Sequence, residues 1–155
     1  MLDRAIQIAA RAHEGQTDKQ GQPYVLHPIS VMMRVDAVEA KIVAVLHDVV
    51  EDTVVTFDEL IAAGFPDDVI AALRLVTHAK EEPYADYVIR VKANPIARAV
   101  KLADLAENTR IERALMRPGS LDRDAKRLQR YVLSYCFLTD QIDEHAYRDA
   151  ARGLD

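Results

Sequence analysis

Tryptophan is absent, and six tyrosines and three phenylalanines supply all the aromatic rings of the 155-residue sequence. Aliphatic side chains and alanine must therefore fill the core, as they do in helix bundles. The single cysteine, Cys136, excludes an internal disulfide and any cysteine-based zinc cluster. Its neighbours Val132, Leu133 and Phe137 predict a buried filler role. No apolar run approaches the ~20 residues needed to cross a bilayer. The opening Met-Leu-Asp-Arg starts an amphipathic helix and lacks the apolar core of a signal peptide. The expectation is a cytoplasmic protein with no membrane partner. Basic excess is missing too: the formal net charge is −5. That argues against a nucleic-acid partner, which needs several phosphates neutralised by Lys and Arg. A small phosphorylated ligand remains compatible, because a metal ion and a few local cations suffice to hold one.

What is present is ordinary for one soluble domain: half the residues are hydrophobic and 29% are charged. Proline and glycine divide the chain into about eight helical segments, and strand-like alternation is missing. The predicted fold is an all-α single domain over 1–155. The first helix spans about 3–14, followed by a polar loop with two glycines and a proline up to Tyr24. A second helix starts at His27-Pro28. Asp36 with Glu39 predicts a capping box opening a third helix that runs to about Glu51. Thr56 with Glu59 predicts a better box, and Gly64 closes the helix it opens. Pro66, Pro83 and Asn94-Pro95 start three more helices, the last reaching about Leu115. Ser120, with Asp122 and Asp124 in its first turn, opens one long final helix.

Residues 41–52 read Lys-Ile-Val-Ala-Val-Leu-His-Asp-Val-Val-Glu-Asp. On a continuous helix, His47, Asp48, Glu51 and Asp52 fall within an arc of roughly 140°. Ile42, Val45, Leu46, Val49 and Val50 occupy the opposite arc. A solvated acidic face would account for the carboxylates alone, but not for a histidine beside so apolar a run. An adjacent His-Asp pair can offer one nitrogen and one oxygen to an ion, a mixture that suits Mn, Fe or Zn better than Ca. Two such ligands bind weakly, so others must come from elsewhere in the chain.

The motif His-Asp-Val-Val-Glu-Asp-Thr, preceded by Pro-Tyr-Val-Leu-His-Pro and followed by Val-Lys-Leu-Ala-Asp, resembles the HD-superfamily phosphohydrolases. More narrowly it is similar to the (p)ppGpp hydrolase domain of RelA/SpoT-type enzymes and of the stand-alone small alarmone hydrolases. The resemblance covers about residues 5–108, with 109–155 as a C-terminal helical part. It implies one divalent ion, usually Mn²⁺ in this branch, held by His27, His47, Asp48 and Asp104. The residue chemistry agrees, since two imidazoles and two carboxylates make a net-neutral site for a dication. The resemblance associates Glu51 and Asp52 with activating the attacking water, Glu51 as the base and Asp52 as its partner. Lys101 and Asn108, at i−3 and i+4 from Asp104, share its helix face. With Lys19 they are the candidate substrate-binding residues, although a plain Lys101–Asp104 ion pair is an alternative reading.

The loop before His27 also follows the family frame at His13, Gly15, Gln16, Gly21, Pro23 and Tyr24. His13 is read as a core-edge histidine and not as a ligand. Two positions depart from the pattern: Asp18 stands where most alarmone hydrolases carry an arginine, and Leu105 replaces an arginine after Asp104. A basic group is thus missing at each. The nucleotidyl-synthetase half has no counterpart, so alarmone synthesis is not expected. The leading expectation is a guanosine 3′,5′-bis(diphosphate) 3′-pyrophosphohydrolase acting on a small-molecule nucleotide. An HD phosphatase for another nucleotide and a non-catalytic metal- and nucleotide-binding sensor are the alternatives. No residue pattern specifies an oligomeric state.

Overall fold

Residues 40–46 bury every side chain except Lys41, and a helix that is apolar all round can only sit inside a bundle. The computed structural model, which describes residues 1–113 and 118–154, places this segment there. It belongs to α3 (Val38–Leu46), which packs on α1 (Leu2–Ala12), α2 (Leu26–Met32), α6 (Asp67–Val76) and α8 (Pro95–Asn108). The remaining helices are α4 (Val49–Asp52), α5 (Phe57–Ala62), α7 (Tyr84–Lys92), α9 (Leu121–Leu138) and α10 (Glu144–Ala151), with a 3₁₀ turn at Pro118–Ser120. Among the described residues there is no strand, only one isolated bridge between Thr17 and Pro23. The fold is a single all-α domain, as its composition predicts.

Most helix starts follow the local chemistry. Thr56 and Glu59 form the reciprocal capping box, and Asn94 caps α8 through the N–H groups of Ile96 and Ala97, with Pro95 at the first helical position. Gly64 takes φ +82°, the left-handed conformation glycine tolerates. The box at Asp36 does not form. Ala37 is the N-cap, which puts Glu39 at the second helical position, one short of where the reciprocal bond is made.

Three boundaries differ from the predicted ones. The third helix does not run unbroken to Glu51. His47 Nδ1 lies 2.7 Å from the carbonyl oxygen of Ala44, the acceptor that the N–H of Asp48 would use if the helix continued. A turn at His47-Asp48 therefore separates α3 from α4. The helix after Asn94-Pro95 stops at Asn108, where the Thr109 hydroxyl bonds to the Leu105 carbonyl; Leu115 lies outside the described residues. The final helix is two. Asp140, at φ +61°, leaves the helical region after Leu138, its carboxylate paired with Lys92 and Arg98. Asp143 then caps α10. Cys136 is half-buried on α9.

Candidate metal centre and active-site cavity

Helices α2, α3 and α8 pack against one another, and each delivers part of one polar cluster. His27 sits in the first turn of α2, His47 and Asp48 follow the end of α3, and Asp104 lies inside α8. His27 Nε2 is 3.3 Å from Asp104 Oδ1 and 3.7 Å from Asp48 Oδ2. His47 Nε2 is 3.1 Å from Asp48 Oδ1 and 3.7 Å from Asp104 Oδ1. His27, His47 and Asp104 each offer a ligand atom within 4.8 Å of the others, and all three are buried. Asp48 completes the ring through its contacts with both imidazoles.

The protonation of this cluster follows from its neighbours. A carbonyl can only accept, so His47 Nδ1 carries the hydrogen toward Ala44 and Nε2 faces the carboxylates. Burial opposes a charge on His47, but Asp48 and Asp104 outweigh it and raise its pKa to about 9. Burial alone would raise the Asp104 carboxyl; Lys101 and the two imidazoles instead hold it well below the usual range. A buried group of two carboxylates and two imidazoles demands a cation. In the metal-free protein a proton on His47 meets that demand. A divalent ion fits the same donor set of two nitrogens and two carboxylate groups.

Lys101 and Asn108 both turn toward Asp104. Lys101 Nζ lies 2.9 Å from Oδ2, and Asn108 Nδ2 donates to Oδ1 at 2.6 Å. The Lys101 ammonium is buried, with the Tyr84 and Tyr87 rings 5.7 and 5.1 Å away. Asp104, the Tyr84 and Tyr87 hydroxyls hold its pKa well above the ordinary value although burial opposes it. Both residues also line the cavity described below, but their nearest polar partner is Asp104.

Beyond the cluster opens a cavity of about 430 Å³, within the usual range for small-ligand sites, roughly 300–1,000 Å³. Glu51 and Asp52 reach it from α4. Glu51 Oε2 accepts the backbone N–H of His78 at 2.9 Å. Burial raises the Glu51 pKa, Asp48 and Asp52 raise it further, and His78 and Lys101 oppose them. Tyr24 Oη lies 2.8 Å from Asp48 Oδ2 and 3.2 Å from Asp52 Oδ2, tying the two acids together. Lys19 also lines the cavity. His13 is buried at the loop's base, bonded to Gln16 and with its ring tilted against Tyr24, a core-edge position as predicted.

Asp18 does not simply remove a charge from the cavity. Its Oδ1 accepts the N–H groups of Gln20 and Gln22, closing the loop on itself, and its Oδ2 pairs with Arg113 at 3.3 Å. Arg113 lines the cavity, as does Arg127 from α9. The basic groups missing from the two motif positions thus have counterparts more than a hundred residues into the chain. Reading the sequence did not find Arg113, Arg127 or His78, nor the role of Tyr24. Tyr24 carried a signal, since it falls in the Pro-Tyr frame. The others had none at short range.

The sequence profile of the HD domain family matches residues 5–112. The GTP pyrophosphokinase of Streptomyces coelicolor is 32% identical over 144 residues, 84% of this chain and 17% of that protein. The guanosine-3′,5′-bis(diphosphate) 3′-pyrophosphohydrolase of Vibrio cholerae is 34% identical over 140 residues, 81% of this chain and 20% of that protein. The chain thus spans about a fifth of the length of these relatives. A solved structure described as "A metazoan ortholog of SpoT hydrolyzes ppGpp and plays a role in starvation responses" superimposes with a TM-score of 0.75 at 25% identity, covering 99% of this chain and 96% of that one.

Proposed function

This chain belongs to the HD domain family, and from that premise we propose that it is a metal-dependent nucleotide phosphohydrolase that releases pyrophosphate from the 3′ position of guanosine 3′,5′-bis(diphosphate). The observation that carries the reading is the convergence of two acid sets on one cavity. His27, His47 and Asp104, with Asp48 against both imidazoles, would hold the metal, and Glu51 with Asp52 lines the same cavity. A site for binding alone would not need the second pair.

A bound divalent ion, Mn²⁺ in this proposal, supplies charge neutralisation and Lewis acidity toward a phosphoryl oxygen. The chain's own groups do the rest. Glu51 takes the proton of the attacking water, its carboxylate oriented by the N–H of His78. Asp52 and Tyr24 hold the acidic edge of the site, and Lys101 and Asn108 keep Asp104 aimed at the cluster. Arg113, Arg127 and Lys19 place positive charge where phosphate oxygens arrive. The site of action in this proposal is the cytoplasm. Among the described residues no helix is long and apolar enough to cross a membrane.

The test is turnover against a nucleotide panel with Mn²⁺ and with chelator. Pyrophosphate release from the guanosine bis(diphosphate), abolished by chelation, is the expected result. Silence on that nucleotide beside brisk phosphate release from another would move the activity to a different substrate.

A further inference from the structure

Helix α9 presents Arg123, Lys126, Arg127 and Arg130 at i, i+3, i+4 and i+7, on one face. With Lys19 from the loop before α2 they line a second groove, of about 690 Å³, in which Asp122 is the one carboxylate among the described lining residues. Arg127 pairs with Asp124 at 3.0 Å. Arg123, Lys126 and Arg130 have no carboxylate partner among the described residues. The guanidinium of Arg130 lies 4.5 Å over the Tyr84 ring, and its Nε is buried without a hydrogen-bond partner.

A merely solvated face looks different in this protein. On α10 each basic group meets an acid one turn away, as in Arg148 with Glu144 and His145 with Asp149. On the α9 stripe only Arg127 has such a partner among the described residues, although acids outnumber bases in the chain, 25 to 20. The groove also adjoins the catalytic cavity, because Lys19 and Arg127 line both.

The two spaces differ in charge. The inner cavity mixes both signs, the carboxylates of Asp48, Glu51, Asp52 and Asp104 beside Lys101 and Arg113, and in the hydrolase reading takes its phosphate through a metal ion. The outer groove carries cations and needs none. We propose that the α9 groove binds the second, non-reacting phosphate group of a nucleotide whose first is cleaved in the cavity, and that it selects doubly phosphorylated nucleotides over singly phosphorylated ones. The proposal rests on the hydrolase reading above for the identity of the cavity's occupant. Arg123, Lys126 and Arg130 are its specificity-determining residues.

Binding tests it without turnover. The protein is Mn²⁺-loaded Glu51→Gln, with and without Arg123→Glu plus Lys126→Glu. The probes are guanosine 3′,5′-bis(diphosphate) and guanosine 3′-diphosphate with a free 5′-hydroxyl, titrated by calorimetry. Both substituted side chains are exposed, and circular dichroism checks that the helix content is unchanged. Charge reversal is expected to weaken the doubly phosphorylated probe by roughly tenfold or more and the singly phosphorylated one by less than about twofold. Equal losses for both probes, no loss for either, or no binding of the bis(diphosphate) before reversal would each overturn the proposal. Failure of the hydrolase reading is a separate result: the unsubstituted enzyme then binds the bis(diphosphate) with the same groove dependence and releases no pyrophosphate from it.

Discussion

The backbone N–H of His78 donates to Glu51 Oε2 at 2.9 Å across 27 residues of chain. One oxygen of the carboxylate is thereby fixed, and the other remains for a water in the cavity. The loop that presents this N–H, residues 77–83, has its own anchor. Arg90 donates to the carbonyls of Arg74, Leu75 and Thr77 and makes a two-pronged pair with Glu82. A single guanidinium thus joins the end of α6, the loop and α7.

Replacing Glu51 with Gln keeps its shape and removes its basicity. Turnover should fall by roughly 10²-fold or more, with metal content unchanged. Metal analysis and single-turnover assays decide the roles, since an emptied site would make Glu51 a ligand. Because the Glu51 pKa is raised and the base works only when ionised, activity of the unsubstituted enzyme should fade as pH drops through a value above the ordinary 4.5.

Arg90→Lys retains the charge but not the planar fork that reaches four partners. The loop should loosen and kcat fall roughly tenfold through misplacement of Glu51, while metal content holds. Hydrogen exchange at residues 77–83 should rise in parallel. Unchanged kcat with faster exchange would show that the loop does not position the base.

Asp104→Ala should abolish metal uptake and also destabilise the metal-free protein by about 3–5 kcal/mol, because it strands the buried Lys101 ammonium. Adding Lys101→Met should restore much of the melting temperature without restoring metal. If the single variant melts like the unsubstituted protein, the ion pair is not buried in solution.

Metal uptake should depend on pH through His47. Its pKa of about 9 in the metal-free protein means that it is charged at pH 7, whereas ligation needs a neutral Nε2. Binding near pH 7.5 should therefore release close to one proton per ion, and affinity should rise about tenfold per pH unit until about 9. Calorimetry in buffers of differing ionisation enthalpy measures the proton directly. The sign for folding is the reverse. A folded pKa raised above the ordinary 6.5 contributes stability to the metal-free protein below that value, and the contribution is lost as pH rises toward 9.

Asp18→Arg should weaken nucleotide binding, although an arginine is the residue relatives carry there. It removes the acceptor for the N–H groups of Gln20 and Gln22 and sets a cation against Arg113. Asp18→Asn, which keeps one acceptor oxygen, should raise KM less. A lower KM for Asp18→Arg would mean that Arg113 swings away and the loop re-forms.

The all-α class, the Thr56 and Asn94 caps and the His47-Asp48 donor pair were legible from the residues themselves, whereas His27 and Asp104 joined that pair only through the family resemblance. Helix caps and breakers act over a few positions, so Thr56-x-x-Glu59 and Asn94-Pro95 declare themselves locally. The His47-Asp48 pair stood out because a histidine is uncommon beside so apolar a run. The break after Leu46 was not legible, because a side chain competing for the Ala44 carbonyl depends on which way the imidazole is drawn, and the carboxylates that draw it include one on another helix. The Lys101–Asp104 pair was open to a local reading, but tertiary structure decided that Asp18 is a loop acceptor paired with an arginine 95 residues away. Contacts of that separation form only when packed helices bring distant segments together, and no local periodicity encodes them.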